Sequence, residues 1–155
     1  MADVQKITPN LWFNHNAKEA VDFYTSVFTG GRILDTSYYP TEGLLDFQQD
    51  LAGKELTVEF ELAGQHFTAI NGGPEFKFTE AVSFVVTCKD QQEIDYFWEK
   101  LSRVPEAAQC GWCKDQFGLS WQVVPENMGE YMSYPGAFAK MLQMKKIVIA
   151  DFVKE

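Results

Sequence analysis

The sequence predicts an α+β protein made of paired βαβββ modules, the second of them shorter than the first. Each of two amphipathic helix candidates follows an apolar strand candidate, and further strand candidates follow each helix. No linker or low-complexity segment separates the two halves. We therefore expect an internal duplication in pattern, within a single domain that spans residues 1–155.

The first module is predicted at residues 5–75. Its first strand lies in ITPNLWF. The helix lies in NAKEAVDFYTSVF, where Asn16 and Glu19 form a capping-box pattern and Gly30–Gly31 end the helix. Three strands are expected in GRILDTSYYP, LTVEFELAG and QHFTAING. In the second of them, apolar and polar residues alternate as in a half-buried strand.

The second module is predicted at residues 80–125. Its first strand lies in AVSFVVTC. Asp90 and Glu93 then open a helix whose apolar stripe predicts that Trp98 lies in the core. Two strands follow in AAQCGWCKD and LSWQVVP, and Pro125 ends the last one. Residues 126–155 are expected to form a C-terminal helix in PGAFAKMLQMKK and a final strand in IVIADF.

Composition and charge argue against several classes of protein. The net charge of −9 at pH 7 opposes non-specific binding to nucleic acid or to an anionic membrane. No uncharged apolar run is long enough to span a bilayer, and MADVQKITPN lacks the apolar core of a signal peptide. The cysteines are an odd, small set, unlike a secreted disulfide framework. We expect a cytoplasmic protein that binds neither nucleic acid nor membrane.

Cys110 and Cys113 form a C-x-x-C pattern that a redox site, half a zinc site or a hairpin would each explain. A redox pair places its first thiolate at a helix N-terminus, whereas here a turn and a strand follow. No second C-x-x-C and no histidine pair completes a zinc site. We therefore predict a hairpin in which both cysteines are small packing residues.

Four blocks of sequence resemble the PhnB-like branch of the vicinal oxygen chelate superfamily. They are LWFNHNAKEAVDFY, NGGPEFKFTEAVSFVV, DQQEIDYFWEKL and QCGWCKDQFGLSWQVVP. The superfamily contains glyoxalases, extradiol dioxygenases and bleomycin-resistance proteins, and members of the branch often carry the label 3-demethylubiquinone-9 3-methyltransferase. The resemblance extends from about Ile7 to Ile149. It implies the glyoxalase/bleomycin-resistance fold, in which two curled sheets enclose a cup.

The resemblance also implies that the usual metal site of the superfamily is missing. In metal-dependent relatives, four inward side chains hold a divalent metal that takes two neighbouring substrate oxygens. His15 and His66, the only histidines, fall in a loop and on the outward phase of a strand. The corresponding positions make a poor ligand set, so we expect no metal and no cofactor; they are Pro9, Ala69, Ser83 and Gln122.

The same carry-over of strand positions predicts a pocket that mixes apolar rings with a few hydroxyl and amide groups, as small-molecule sites do. Its predicted lining residues are Phe13, Phe67, Asn71, Ser83, Thr87, Ser120 and Gln122. Asn71 begins NGGP, which suits either a plain turn or a binding role in which the glycines bring main-chain N–H groups close to a ligand.

Three functions stay open at this point. The first is a metal-independent binder of an unidentified small molecule, with or without catalysis. The second is the methyl transfer of the family label, although the chain lacks a glycine-rich turn between a leading strand and a helix. The third is a non-catalytic interaction or structural protein. Relatives commonly form homodimers, and a second copy would cover the apolar tail residues Phe138, Met141, Leu142 and Ile149.

Overall fold

The computed structural model describes residues 5–154, and these fold into two compact units that divide between Lys77 and Phe78. The first unit has the element order βαβββ, and the second has the order βαββ followed by three short helices. Both modules therefore contain the predicted strands and helices, while the single domain over residues 1–155 stays a prediction. No helix within residues 5–154 is long and apolar enough to cross a membrane.

The framework of the first unit is a four-stranded sheet and one long helix. Their bounds are β1 Asn10–Asn14, α1 Ala17–Val27, β2 Arg32–Tyr38, β3 Glu55–Leu62 and β4 Gln65–Gly72. The strand order is β1-β4-β3-β2, with β1 parallel to β4 and the other neighbours antiparallel. A 3-10 helix at Asp46–Leu51 lies between β2 and β3. The first and last strands of the module are therefore direct neighbours.

The helix α1 covers one face of this sheet. Tyr24 of α1 is fully buried, and its ring centroid lies 6.4 Å from that of Phe13 and 6.3 Å from that of Phe60. Phe67 stacks on Phe60 at 5.4 Å. These rings form the core of the unit. Because side chains alternate along a strand, residues of the opposite phase lie on the face that α1 leaves open.

The second unit repeats the topology with one strand fewer. Its elements are β5 Ser83–Cys88, α2 Gln91–Leu101, β6 Trp112–Lys114, β7 Ser120–Pro125, α3 Met128–Met132, α4 Ala137–Leu142 and α5 Ile149–Phe152. The sheet order is β5-β7-β6, with β5 parallel to β7 and β6 antiparallel to β7. As in the first unit, the first strand of the module pairs in parallel with the last one.

The two long helices begin in different ways. At α2, the Asp90 carboxylate accepts a hydrogen bond from Glu93 N at 2.9 Å, so the predicted cap is confirmed. At α1, the predicted capping box is wrong, because Asn16 has φ −127° and ψ 27°, outside the usual cap conformation, and makes no side-chain cap bond. Asn71 of β4 supplies the cap instead, since its Oδ1 accepts from Ala17 N at 3.2 Å.

The end of the chain is helical where a strand was predicted. IVIADF contains α5 rather than a strand, and the ring of buried Phe152 stacks on Tyr131 of α3 at 5.9 Å. The short apolar run fits either structure by its pattern alone, and packing against α3 decides in favour of the helix. In α4, Phe138 is 61% exposed and Leu142 is 44% exposed. The homodimer that would cover them stays a prediction.

Asp115 organises the hairpin that joins β6 to β7. It is fully buried, and its Oδ1 accepts hydrogen bonds from Phe117 N at 2.8 Å and Leu119 N at 3.1 Å. Its Oδ2 accepts from the indole nitrogen of Trp121 at 2.9 Å. A buried carboxylate is tolerated when donors satisfy its oxygens. The predicted turn at Gln116–Gly118 is therefore closed by a carboxylate that also fixes the next strand.

We expect Asp115→Asn to lower the free energy of unfolding by about 2 kcal/mol. The amide oxygen can still accept from the turn, but the NH₂ group then faces the indole N–H of Trp121, so two donors meet in a buried place. Chemical denaturation followed by circular dichroism measures the change. Asp46→Asn is the same substitution at an exposed position and is expected to change stability by less than about 0.5 kcal/mol. Equal stability of the two variants would contradict this role of Asp115.

Candidate functional site

Four of the seven predicted pocket residues lie together on one face of the β5-β7-β6 sheet. The side chains of the opposite phase, which include Val86, Trp121 and Val123, are buried. The helix α2 packs against β5 and β7 on that side. The face away from α2, here called the open face, therefore carries the predicted residues of this unit, which are Ser83, Thr87, Ser120 and Gln122.

The open face consists of side chains in registered rows. Ser83, Ser120 and Lys114 form one row, and Val85, Gln122 and Trp112 form the next. Gln122 Nε2 donates to Ser83 Oγ at 2.9 Å, which links the two rows. Val85 is 54% exposed, and Trp112 is half-buried. Polar groups therefore stand between apolar contact surfaces.

Ser120, the first residue of β7, has an unsatisfied hydroxyl at one end of this face. It is 1% exposed, and within residues 5–154 its Oγ has no hydrogen-bond partner. Lys114 beside it forms an ion pair with Glu80. The two rows contain hydroxyl, amide, ammonium and indole groups, but no carboxylate, imidazole or thiol. These two rows can thus donate and accept hydrogen bonds.

The three predicted pocket residues of the first unit lie on the helix-covered face of their sheet, not on its open side. Phe13, Phe67 and Asn71 are 2%, 6% and 4% exposed, on the side of the sheet that α1 covers. The strand phase assumed for β1 and β4 is therefore inverted in the structure. Trp12 and Ile70, which pair in register, lie on the open side. That a ligand contacts Phe13, Phe67 or Asn71 stays a prediction, and their observed contacts are those of core residues.

Asn71 holds three segments of the first unit together. Its Oδ1 caps α1, and its Nδ2 donates to Glu55 O at 2.9 Å at the start of β3. Its main-chain carbonyl accepts from the hydroxyl of Tyr39 at 2.7 Å. Both polar atoms of the side chain are therefore bonded to backbone groups. Of the two interpretations of NGGP, the structure therefore gives direct support to the turn.

Gly72 is required by an aromatic ring. A Cβ atom at this position would lie 2.2 Å from Cζ2 of Trp12, which no real contact allows. The indole nitrogen of Trp12 donates to Gly73 O at 2.9 Å, and the ring meets Phe76 edge-on at 4.8 Å. The absence of a side chain at Gly72 lets the indole lie on the backbone. The glycine thus serves packing on the open side of this sheet.

The four residues predicted at the metal positions of the superfamily do not fit a metal ion. Pro9 and Ala69 have no ligating side-chain atom, and Ala69 lies on the side of the sheet that α1 covers. The Ser83–Gln122 pair supplies only neutral oxygens. Within residues 5–154, no group of three or more histidine, cysteine, aspartate or glutamate residues is placed to hold a metal ion.

The two histidines occupy separate surface positions of the first unit. His15 has a φ of 62°, and its Nε2 lies 2.8 Å from Asp50 Oδ2. His66 Nε2 lies 3.0 Å from Glu61 Oε1, and Arg32 Nε lies 3.1 Å from Glu61 Oε2. The hydrogen bond from Arg32, with a further contribution from His66, holds the pKa of Glu61 below its usual value. His66 is exposed, but it shares the strand phase of Ile70 and so lies on the open side of the sheet, which makes its predicted outward phase wrong.

The cysteines are free thiols with different surroundings. Cys113 is 1% exposed in β6, and Cys110 lies in the preceding tight turn with a φ of 53°. Burial, with a smaller effect of the Asp115 charge, raises the pKa of Cys113 to about 12. Burial, followed by the charges of Glu93 and Asp90, does the same for Cys88. The C-x-x-C segment forms the predicted hairpin, with Cys113 in the core.

The sequence pattern of the 3-demethylubiquinone-9 3-methyltransferase family matches residues 5–124 of the chain. The chain belongs to this family. The PhnB protein of Bacillus cereus is 34% identical, with a TM-score of 0.63, and the match covers 77% of this chain and 99% of that protein. The resemblance to the PhnB-like branch is therefore confirmed, and the two open sheets have the glyoxalase/bleomycin-resistance fold.

Two further solved structures extend the comparison of this family member. A Pseudomonas aeruginosa protein is 20% identical with a TM-score of 0.56, over 79% of this chain and 98% of its own, which supports the fold alone. A Staphylococcus aureus protein is 30% identical over 81% of this chain and 100% of its own, with a TM-score of 0.35. No curated protein matches the chain.

We expect Asn71→Ala to lower the free energy of unfolding by about 2 kcal/mol or more, because Ala17 N–H and Glu55 C=O then lose a partner in a buried place. Thermal and chemical denaturation measure the loss. Asn10→Ala removes the same group from an exposed position of β1 and is expected to cost less than about 0.5 kcal/mol. An Asn71→Ala variant as stable as Asn10→Ala would show that the buried bonds contribute little.

We expect iodoacetamide at pH 8 to modify Cys110 alone in the folded protein. A thiol with a pKa of about 12 is ionised in roughly one molecule in ten thousand at this pH, so buried Cys88 and Cys113 stay unmodified. Intact mass spectrometry is expected to show one adduct in buffer and three in guanidinium chloride. A folded protein that lacks the adduct after oxidation, and regains it after reduction, would instead indicate a disulfide.

Proposed function

We propose that this family member binds a small molecule on the open face of the β5-β7-β6 sheet, without a metal ion. The observation that carries the proposal is the Gln122–Ser83 pair beside the buried, unsatisfied hydroxyl of Ser120. A buried polar atom without a partner costs free energy unless a ligand or water satisfies it. A ligand polar group that displaced the side chains covering Ser120 would remove that cost.

The neighbouring side chains define the chemistry of the ligand. Trp112 and Val85 offer flat and aliphatic contact on either side of Gln122 in register. Lys114 is the one cation in these rows and is already paired with Glu80, so a strongly anionic ligand would compete with that ion pair. A neutral or weakly polar molecule with a planar apolar part and a hydrogen-bonding group fits this face best.

Binding without chemistry is the function that these side chains support. The two rows contain no histidine, carboxylate or thiol that would activate the hydroxyls of Ser83 and Ser120, and the residues predicted at the superfamily metal positions ligate poorly. In the proposed function, the protein therefore retains or delivers a small molecule that it recognises by shape and by hydrogen bonds.

The family description itself favours a second function, methyl transfer, which requires binding of S-adenosylmethionine. Nucleotide-like cofactors are commonly held at a glycine-rich turn between a strand and a helix. Here Gly72 ends β4 and Gly73 follows it, but residues 73–82 form turns and irregular chain rather than a helix. We therefore rank metal-free binding of another small molecule above methyl transfer.

A fragment screen by nuclear magnetic resonance tests the proposal. In the ¹⁵N-labelled protein, binding fragments are expected to shift the indole N–H of Trp112 and the side-chain amide of Gln122. For a fragment that binds, Gln122→Ala is expected to weaken binding about fivefold, the usual worth of one hydrogen bond. Gln116→Ala makes the same change at an exposed turn position and is expected to leave the affinity unchanged.

Three outcomes would contradict the proposal. One is a screen in which fragments bind but never shift Trp112 or Gln122. A second is micromolar binding of S-adenosylmethionine in an isothermal titration, which would favour methyl transfer instead. Equal weakening by Gln122→Ala and Gln116→Ala would also exclude a specific role of this face.

A further inference from the structure

A separate cleft lies at the C-terminal end of α2. It has a volume of about 390 Å³, within the range of small-molecule sites. Its walls come from α2, from the 3-10 helix at Pro105–Ala107 and from the segment between α4 and α5. The lining residues are Trp98, Ser102, Arg103, Pro105, Ala108 and Lys145. None of them belongs to the open face described above.

Trp98 forms one wall of this cleft. The apolar stripe of α2 predicted a core position, but the side chain is only half-buried, whereas Ile94 and Leu101 of the same stripe are fully buried. The prediction of a core tryptophan is therefore wrong in part. A half-exposed indole offers a flat apolar surface on which a planar or cationic group can stack.

Two cationic side chains face the cleft without a carboxylate partner. Within residues 5–154, no ion pair involves Arg103 or Lys145. By contrast, Lys114, Lys146 and Lys154 of the same unit each pair with an acidic residue. In a chain with 22 acidic and 13 basic residues, two unpaired cations at one cleft form a local positive site.

The C-terminal end of α2 accounts for the position of Arg103 but not for that of Lys145. Arg103 Nε donates to Lys100 O at 3.2 Å, as a cation near a helix C-terminus commonly does. That bond fixes the guanidinium and leaves its terminal nitrogens for another acceptor. It does not explain Lys145, which belongs to a different segment. The adjacent acidic residue Glu106 is exposed and is not part of the cleft wall.

We propose that this cleft binds a small aromatic anion. The anionic oxygens pair with Arg103 and Lys145, and the ring lies against Trp98. A carboxylate or a phosphate would satisfy the same cations, since both present oxygens that an arginine fork accepts. The site is distinct from the face proposed above, so the two proposals stand or fall separately.

Titration with phenyl phosphate tests the inference. Inorganic phosphate and phenol, which each contain one part of that molecule, are titrated as control ligands. Phenyl phosphate is expected to shift the Trp98 indole resonance and to bind more tightly than either half. In the double variant Arg103→Gln/Lys145→Gln, the dissociation constant is expected to rise about tenfold. Lys154→Gln removes one charge from a paired lysine elsewhere in the unit, and it is expected to change the constant by less than about twofold.

Four results would overturn the inference. Three of them are no shift of the Trp98 resonance at millimolar phenyl phosphate, equal binding of phenol, and equal weakening by Lys154→Gln. Circular dichroism and the melting temperature of each variant without ligand verify the fold, and Arg103→Lys, which keeps the charge, provides a second variant with expected intermediate affinity. A shift confined to Trp112 and Gln122 would also overturn it, because the anion would then occupy the open face.

Discussion

One helix can bury only one face of a sheet, and this constraint shapes both halves of the protein. In the first unit, Tyr24 of α1 packs on Phe13 and Phe60, so the other side of the sheet is left to Trp12 and its neighbours. In the second unit, α2 covers the side of Val123, and Gln122 with its row lies opposite. Each sheet therefore has a dry face that holds the unit together and a second face with mixed chemistry. The proposed binding site lies on such a second face.

Local patterns predicted most of the elements. The helix periodicity placed α1 and α2, alternation placed β3, and Asp90 capped α2 as expected, because each signal is contained within a few residues. IVIADF shows the limit of that method. A four-residue helix and a short strand have similar apolar runs, and the stacking of Phe152 on Tyr131, remote in sequence, decides between them.

The sequence could predict only part of the candidate site, because strand alternation is a local signal and the position of the covering helix is not. Alternation assigns the residues of a strand to two sets, but it does not say which set the helix covers. In β1 and β4, both sets contain large apolar side chains, Phe13 and Phe67 in one and Trp12 and Ile70 in the other. In β7, the set that α2 covers is plainly the more apolar, and Ser120 and Gln122 lie on the other face. The Trp98 cleft joins three separate segments, so no sequence window contains it.

The cap of α1 has a consequence for how the first half assembles. The acceptor for Ala17 N comes from Asn71, 54 residues further along the chain, whereas α2 carries its acceptor in the residue that precedes it. The first turn of α1 is therefore complete only after β4 has docked beside β1. Loop closure over this distance must precede the stabilising bond, which slows assembly and couples helix and sheet into one cooperative step. The α2 helix can begin to form on its own, so the two modules, alike in topology, differ in the order of their folding events.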